Sequence, residues 1–171
     1  VIYNHGWYPI GFGDEVEVDI VNNYIKPGPL HGGDVFMRDN EYGDTPMSVY
    51  IPNGNVIEGI LAANADAWQY VINEFAPGGN PSEGTHRRST RLSLSSYPLH
   101  DPIWTAATAY AMAIRDAGAC RRLDDNGSWV WSQDTLDAAK IGEVINNTGI
   151  SSYITNPAGM TPPTEIEGRH L

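Results

Sequence analysis

The sequence predicts an α+β protein, a single-domain two-layer α/β sandwich with a mainly antiparallel sheet and about three helices. Three observations predict it. Short stretches of apolar/polar alternation dominate the first fifty residues, and longer stripes at helical spacing begin at residue 55. The resulting order, strands, helix, strand, helix, strand, helix, suits a sheet covered by helices better than a doubly wound parallel sheet. The length of 171 residues is enough for one compact domain, and no linker divides residues 1–171. No period of 20 to 50 residues is visible, and the tail from about residue 156, rich in Pro, Gly and Thr, has no periodicity.

The first strand is read from 14–21, where Val16, Val18 and Ile20 face one way and Glu15, Glu17 and Asp19 the other, giving a half-buried strand with an acidic outer face. Residues 45–52 repeat the pattern with Met47, Val49 and Ile51 inward. A core helix is expected from Asn55, with Glu58 completing a capping box and Val56, Ile57, Ile60, Leu61, Ala67, Trp68, Val71, Ile72 and Phe75 on one stripe before Pro77-Gly78-Gly79. The next strand is placed at 88–95, with Leu92 and Leu94 inward and Arg91, Ser93 and Ser95 outward.

A second helix is expected behind an Asp101 cap with Pro102 in the first helical position, using Ile103, Ala106, Ala107, Tyr110, Ala111 and Ile114 as its face. The strand in 127–132 sets Trp129 and Trp131 on one side. The third helix spans about 133–145 behind a Ser132 cap and ends at Gly149.

Charge bounds the function. The net charge is -11, and it is uneven: −9 falls in residues 1–75 and −2 in the remainder. A chain this acidic is repelled by nucleic-acid phosphates, so no nucleic-acid partner is expected. No run approaches the roughly 20 apolar residues of a membrane helix, so no membrane-spanning segment is expected either. Cys120 stands alone and can form no intramolecular disulfide. The composition, with two lysines, 18 Gly, 12 Pro and N-x-[ST] sequons at Asn126 and Asn146, points to an extracellular, secreted protein.

Chemical signatures are sparse. His31 with Asp34 and His100 with Asp101 lack zinc spacing, and the Asp/Asn-rich stretches 39–44 and 123–129 miss the EF-hand spacing and read as turns, so no metal and no cofactor are expected. No nucleophile elbow or phosphate loop occurs. Cys120, beside Arg121 and Arg122, could act as a nucleophile with His86 or His100 as base, but a lone cysteine reads first as a small core residue.

Two groups of residues remain as candidate ligand sites. The arginines Arg87, Arg88 and Arg91 suit either ion pairs with the acidic 15–19 strand or an anion or carboxylate site, with a subunit contact as a further use. The aromatic groups, Trp7 and Tyr8 near the N-terminus and Trp129 with Trp131, suit binding platforms, although core packing is expected for at least one group. The function that follows is a toxin- or effector-like binding protein recognising a protein or carbohydrate target. The alternatives are a small hydrolase with a carboxylate or Cys-His site, and a structural subunit of a coat, capsid or filament, with self-association possible in either case.

Overall fold

The computed structural model describes residues 1–5, 8–13, 16–30, 34–39, 47–73, 86–92, 103–117 and 121–149. Eight short strands open the chain: β1 (Ile2–Tyr3), β2 (Gly11–Phe12), β3 (Glu17–Asp19), β4 (Tyr24–Lys26), β5 (Met37–Asp39), β6 (Ser48–Tyr50), β7 (Val56–Ile57) and β8 (Val71–Asn73). Each of the first five pairs with the strand three places on, giving β1-β4-β7 as sheet A, β2-β5-β8 as sheet B and β3-β6 as sheet C. Every one of these pairings is parallel. The chain therefore winds as a three-sided coil, the arrangement of a parallel β-helix, with one strand of each sheet per turn.

This overturns the two-layer sandwich with a mainly antiparallel sheet. Alternation reports which side of a strand is buried and is silent on the direction of its neighbour. Repetition is present after all, but its spacing drifts. Ile2 lies opposite Ile25, Tyr24 opposite Val56, Gly11 opposite Arg38, Met37 opposite Val71 and Glu17 opposite Ser48, so successive turns differ in length and leave no fixed period in sequence.

The core lies inside the coil. Ile25 and Ile57 stack in sheet A, Met37 and Val71 in sheet B, and Val18 and Val49 in sheet C, each pair in direct register. Together with Ile20, Phe36, Met47, Ile51, Leu61, Ala67 and Trp68 the buried members form one hydrophobic cluster. Inward placement of Ile20, Met47, Val49 and Ile51 is as the alternation indicated.

Over its described residues, 55–73, the expected helix from Asn55 to Phe75 is replaced by β7, a run of turns, a 3-10 helix at Ala67–Tyr70 and β8; residues 74 and 75 lie outside the described ones. Five of the stripe's apolar residues, Ile57, Leu61, Ala67, Trp68 and Val71, are buried all the same, inside the coil. Asn55 caps no helix. Its buried amide accepts from Asn23 N at 2.8 Å and Asn23 Nδ2 at 3.2 Å, and donates to Ile20 O at 2.9 Å and Pro52 O at 3.1 Å, holding the corner between sheets C and A. At the same corner Gly54 has φ +115°, where any Cβ would also run into the Asn22 side chain.

From residue 103 on, the described residues form two α-helices, α1 (Ala106–Asp116) and α2 (Thr135–Asn146), with a hairpin of β9 (Arg121–Leu123) and β10 (Trp129–Trp131) between them. Helix α1 starts four residues after the expected Pro102, capped by Thr105, whose side chain accepts from Thr108 N. It covers the outer face of sheet A: Tyr110 stacks on Tyr24 at 4.5 Å, and Lys26 Nζ reaches Tyr110 Oη at 3.4 Å and Glu58 at 3.6 Å. Asp134, rather than Ser132, caps α2, and Asn147 in the left-handed region ends it before Gly149. The Tyr3 hydroxyl donates to Glu143 O at 3.0 Å and to Thr148 O, tying the end of α2 to β1. No helix among the described residues is long and apolar enough to cross a membrane.

Candidate functional site

With the outer face of sheet A under α1, the outer face of sheet C is where polar groups gather. Alternation in β3 turns Val18 to the core and leaves Glu17 and Asp19 outside. The chain returns to this sheet after β8, where Arg87 makes a parallel bridge with Val49 and Arg88 N donates to Val49 O at 2.8 Å. That return brings Arg88 and Arg91 beside Asp19. The expected strand at 88–95 is not present over its described residues, 88–92, which carry only this contact; residues 93–95 lie outside the described ones.

Asp19 is the hub. Its carboxylate accepts from Arg88 Nη2 at 2.7 Å and from Leu92 N at 3.1 and 3.3 Å, and Arg91 Nε lies 3.4 Å away. Arg88 Nη2 also donates to Val18 O at 3.2 Å. Asp19 is thus a nearly buried anchor for the segment that crosses sheet C, not part of a solvated face. Arg87 turns elsewhere, pairing with Asp66 at 2.8 Å and lying 5.6 Å over the Trp68 ring.

Beside this hub is an open cleft of about 430 Å³ lined by Glu17, Val18, Asp19, Val21, Asn23, Arg91, Leu92 and Ile103. Its size falls in the roughly 300–1,000 Å³ range of small-ligand sites. The terminal Nη groups of Arg91 and the carboxylate of Glu17 have no partner among the described residues, so the cleft offers open donors and open acceptors together. Two carboxylates stand against Arg88 and Arg91, leaving the charge locally balanced. Trp104 follows Ile103 in the chain, is 49% exposed, and is held by its carbonyl, which accepts from Asn22 Nδ2 at 2.8 Å.

The residues singled out from sequence therefore separate. Arg88 and Arg91 join this site, Arg87 does not, and Trp7 lies outside the described residues. Tyr8 sits under the Arg38 guanidinium at 4.7 Å, on the sheet B side. Trp129 and Trp131 are 71% and 52% exposed on the hairpin, so that pair is not the group used in core packing. Nothing in the sequence reading singled out Glu17, Asn23 or Ile103 as site residues. The alternation in 14–21 marks Glu17 as outward, but nothing local marks it as facing Arg91.

Among the described residues no group of three or more His, Cys, Asp or Glu side chains could hold a metal ion. His31, His100, Asp101 and Cys120 lie outside those residues. The stretch 123–129 is a turn: Asp124 Oδ1 accepts from Asn126 N at 2.9 Å and Ser128 N at 2.8 Å, and Gly127 has φ +76°. Set against protein-family models, curated proteins and solved structures, the chain matches none.

Proposed function

We propose that this is an extracellular carbohydrate-binding protein that takes a neutral oligosaccharide in the cleft on sheet C. The observation that carries the reading is the pairing of open donors on Arg91 with open acceptors on Glu17 beside an apolar wall. A sugar hydroxyl both donates and accepts, so it uses both groups, whereas an anion would use the arginine alone and meet Glu17 in opposition. Val21, Leu92 and Ile103 in the lining supply apolar surface for the C–H faces of a ring. An extracellular setting is supported by the exposure of both sequon asparagines, Asn126 at the hairpin turn and Asn146 at the end of α2.

Titration calorimetry against a panel of neutral and acidic oligosaccharides tests the reading. Neutral ligands should bind, and Glu17→Gln and Arg91→Gln should each weaken binding by about tenfold or more, the loss of one charged hydrogen-bonding partner. Trp129→Ala should leave it unchanged. Failure of every neutral oligosaccharide to bind, or binding that survives both cleft substitutions, refutes the proposal.

One observation favours a hydrolytic reading. Glu17 and Asp19 project from the same side of β3, two residues apart. Two strand positions set their Cα atoms about 6.6 Å apart, and glycoside hydrolysis uses a pair of carboxylates on one site. Release of reducing sugar from a bound ligand, abolished in Glu17→Gln, would convert the binding reading into this one.

A further inference from the structure

Strand β10 reads Trp129-Val130-Trp131 and is flanked by Ser128 and Ser132, so residues 128–132 form a palindrome. Its only strand partner among the described residues is β9, which leaves its other edge open. The direction of the backbone groups at that edge follows from the hairpin register. Trp129 lies opposite Leu123, Val130 opposite Arg122 and Trp131 opposite Arg121. Asp124 N donates to Ser128 O at 2.9 Å, so Ser128 belongs to a hydrogen-bonded pair with Asp124. Bonded and non-bonded pairs alternate along an antiparallel ladder. Val130 therefore turns its N–H and C=O toward β9, and Trp129 and Trp131 turn theirs outward to the open edge.

We propose that β10 pairs antiparallel with β10 of a second copy of this chain, about a two-fold axis through Val130, joining the two hairpins into a four-stranded sheet. In that register Trp129 exchanges both backbone bonds with Trp131 of the partner subunit, and Trp131 does the same with Trp129 of the partner subunit. Val130 meets its own counterpart on the axis as a non-bonded pair. The backbone parity required by the dimer is the one β10 already has. Because the segment is a palindrome, each residue faces its own kind: Ser on Ser, Trp on Trp, Val on Val.

Charge selects this edge over the other. Residues 128–132 carry none, whereas pairing through β9 would bring Arg121 and Arg122 against their equivalents. Charged residues are a usual guard on an open strand edge, and β10 lacks them. A two-stranded hairpin is marginal in water by itself, so extension to four strands is favourable. Trp129, Trp131 and Leu123 are all more than half exposed. At roughly 150–250 Å² per aromatic side chain they supply a few hundred Å² per copy. That is below the roughly 800 Å² per partner of a standard interface, so the expected dimer is weak, with a midpoint on the order of tens of micromolar.

Sedimentation velocity over about 1–200 µM tests this. The protein should pass from its 18.7 kDa monomer toward twice that mass. Trp131→Lys should raise the dissociation constant at least tenfold, and Leu136→Lys, at an exposed apolar site on α2, should not. A Val130→Cys variant in a Cys120→Ser background should form an intermolecular disulfide on mild oxidation, since a non-bonded antiparallel pair brings Cα atoms to about 4.5 Å. A chain that stays monomeric across the range overturns the proposal, as does a dimer that survives Trp131→Lys or fails to cross-link through residue 130.

Discussion

Replacing Asn55 with alanine tests whether the corner between sheets C and A is held by one side chain. All four hydrogen-bonding positions of the amide are used, two accepting from Asn23 and two donating to Ile20 O and Pro52 O, and the residue is 1% exposed. Alanine removes all four bonds. Asn23 Nδ2 keeps a contact with Val21 O at 3.4 Å, and the part-buried Pro52 O loses its donor at a site nearer solvent, but Asn23 N and Ile20 O lose the partner the amide supplied. A buried polar group left without a partner costs about 1–3 kcal/mol, so two of them bring the expected loss to about 3 kcal/mol. In a domain of this size that lowers the thermal midpoint by roughly 6–12 °C. Chemical denaturation should show the same loss as a shift in midpoint at constant slope. Asn55→Asp keeps the shape but replaces two donors with an acceptor facing two carbonyl oxygens, so it should be at least as damaging at neutral pH and milder in acid, where the protonated carboxyl donates once. An Asn55→Ala protein within about 0.5 kcal/mol of the parent would refute the reasoning.

Three further substitutions probe the Asp19 hub and the clamp formed by the Tyr24–Glu58 hydrogen bond. Arg88→Gln removes the short charged bond to the nearly buried Asp19 and should cost about 2 kcal/mol, read by denaturant unfolding. Arg91→Gln, at a longer and more exposed contact, should cost under about 1 kcal/mol and depend on salt, so equal losses from the two would contradict the geometry. The Tyr24 phenol is pushed up from its ordinary value by burial first, then by its 2.6 Å hydrogen bond to Glu58 and by the charges of Glu58 and Tyr110. Its folded pKa is raised, so its contribution to stability is complete below about pH 10 and is lost as pH rises further, because the unfolded chain ionises first. Ultraviolet titration of the folded protein should show a tyrosine that resists ionisation past that point, missing in Tyr24→Phe; uniform titration near pH 10 would count against the clamp.

Local signals in the chain determined a good deal of this protein. Alternation marked Ile20, Met47, Val49 and Ile51 as inward, because a strand buries every second side chain whatever it pairs with. The helical stripes located α1 and α2 to within a few residues, although the caps are Thr105 and Asp134 and not Asp101 and Ser132, and Asp-Asn-Gly at 125–127 located the hairpin turn. Between Asn55 and Phe75 the same method misled: Ile57, Leu61, Trp68 and Val71 recur at helical spacing by the accident of where the coil bends inward. Strands of two or three residues are too short to display a period of their own, so the stripe was the stronger signal.

Only the tertiary structure decided the direction of the sheets and the composition of the cleft. Parallel pairing joins strands that are a whole turn of coil apart, and these turns differ in length, so no local pattern records which residues become neighbours. Asp19 meets Arg88 across 69 residues, and Glu17 shares a cleft with Arg91 and Ile103 for the same reason. The sequence determined which side chains are inward, which are charged and where the chain can turn. The accumulated length of the loops then determined which of those outward groups face one another, and that placement is what makes a site.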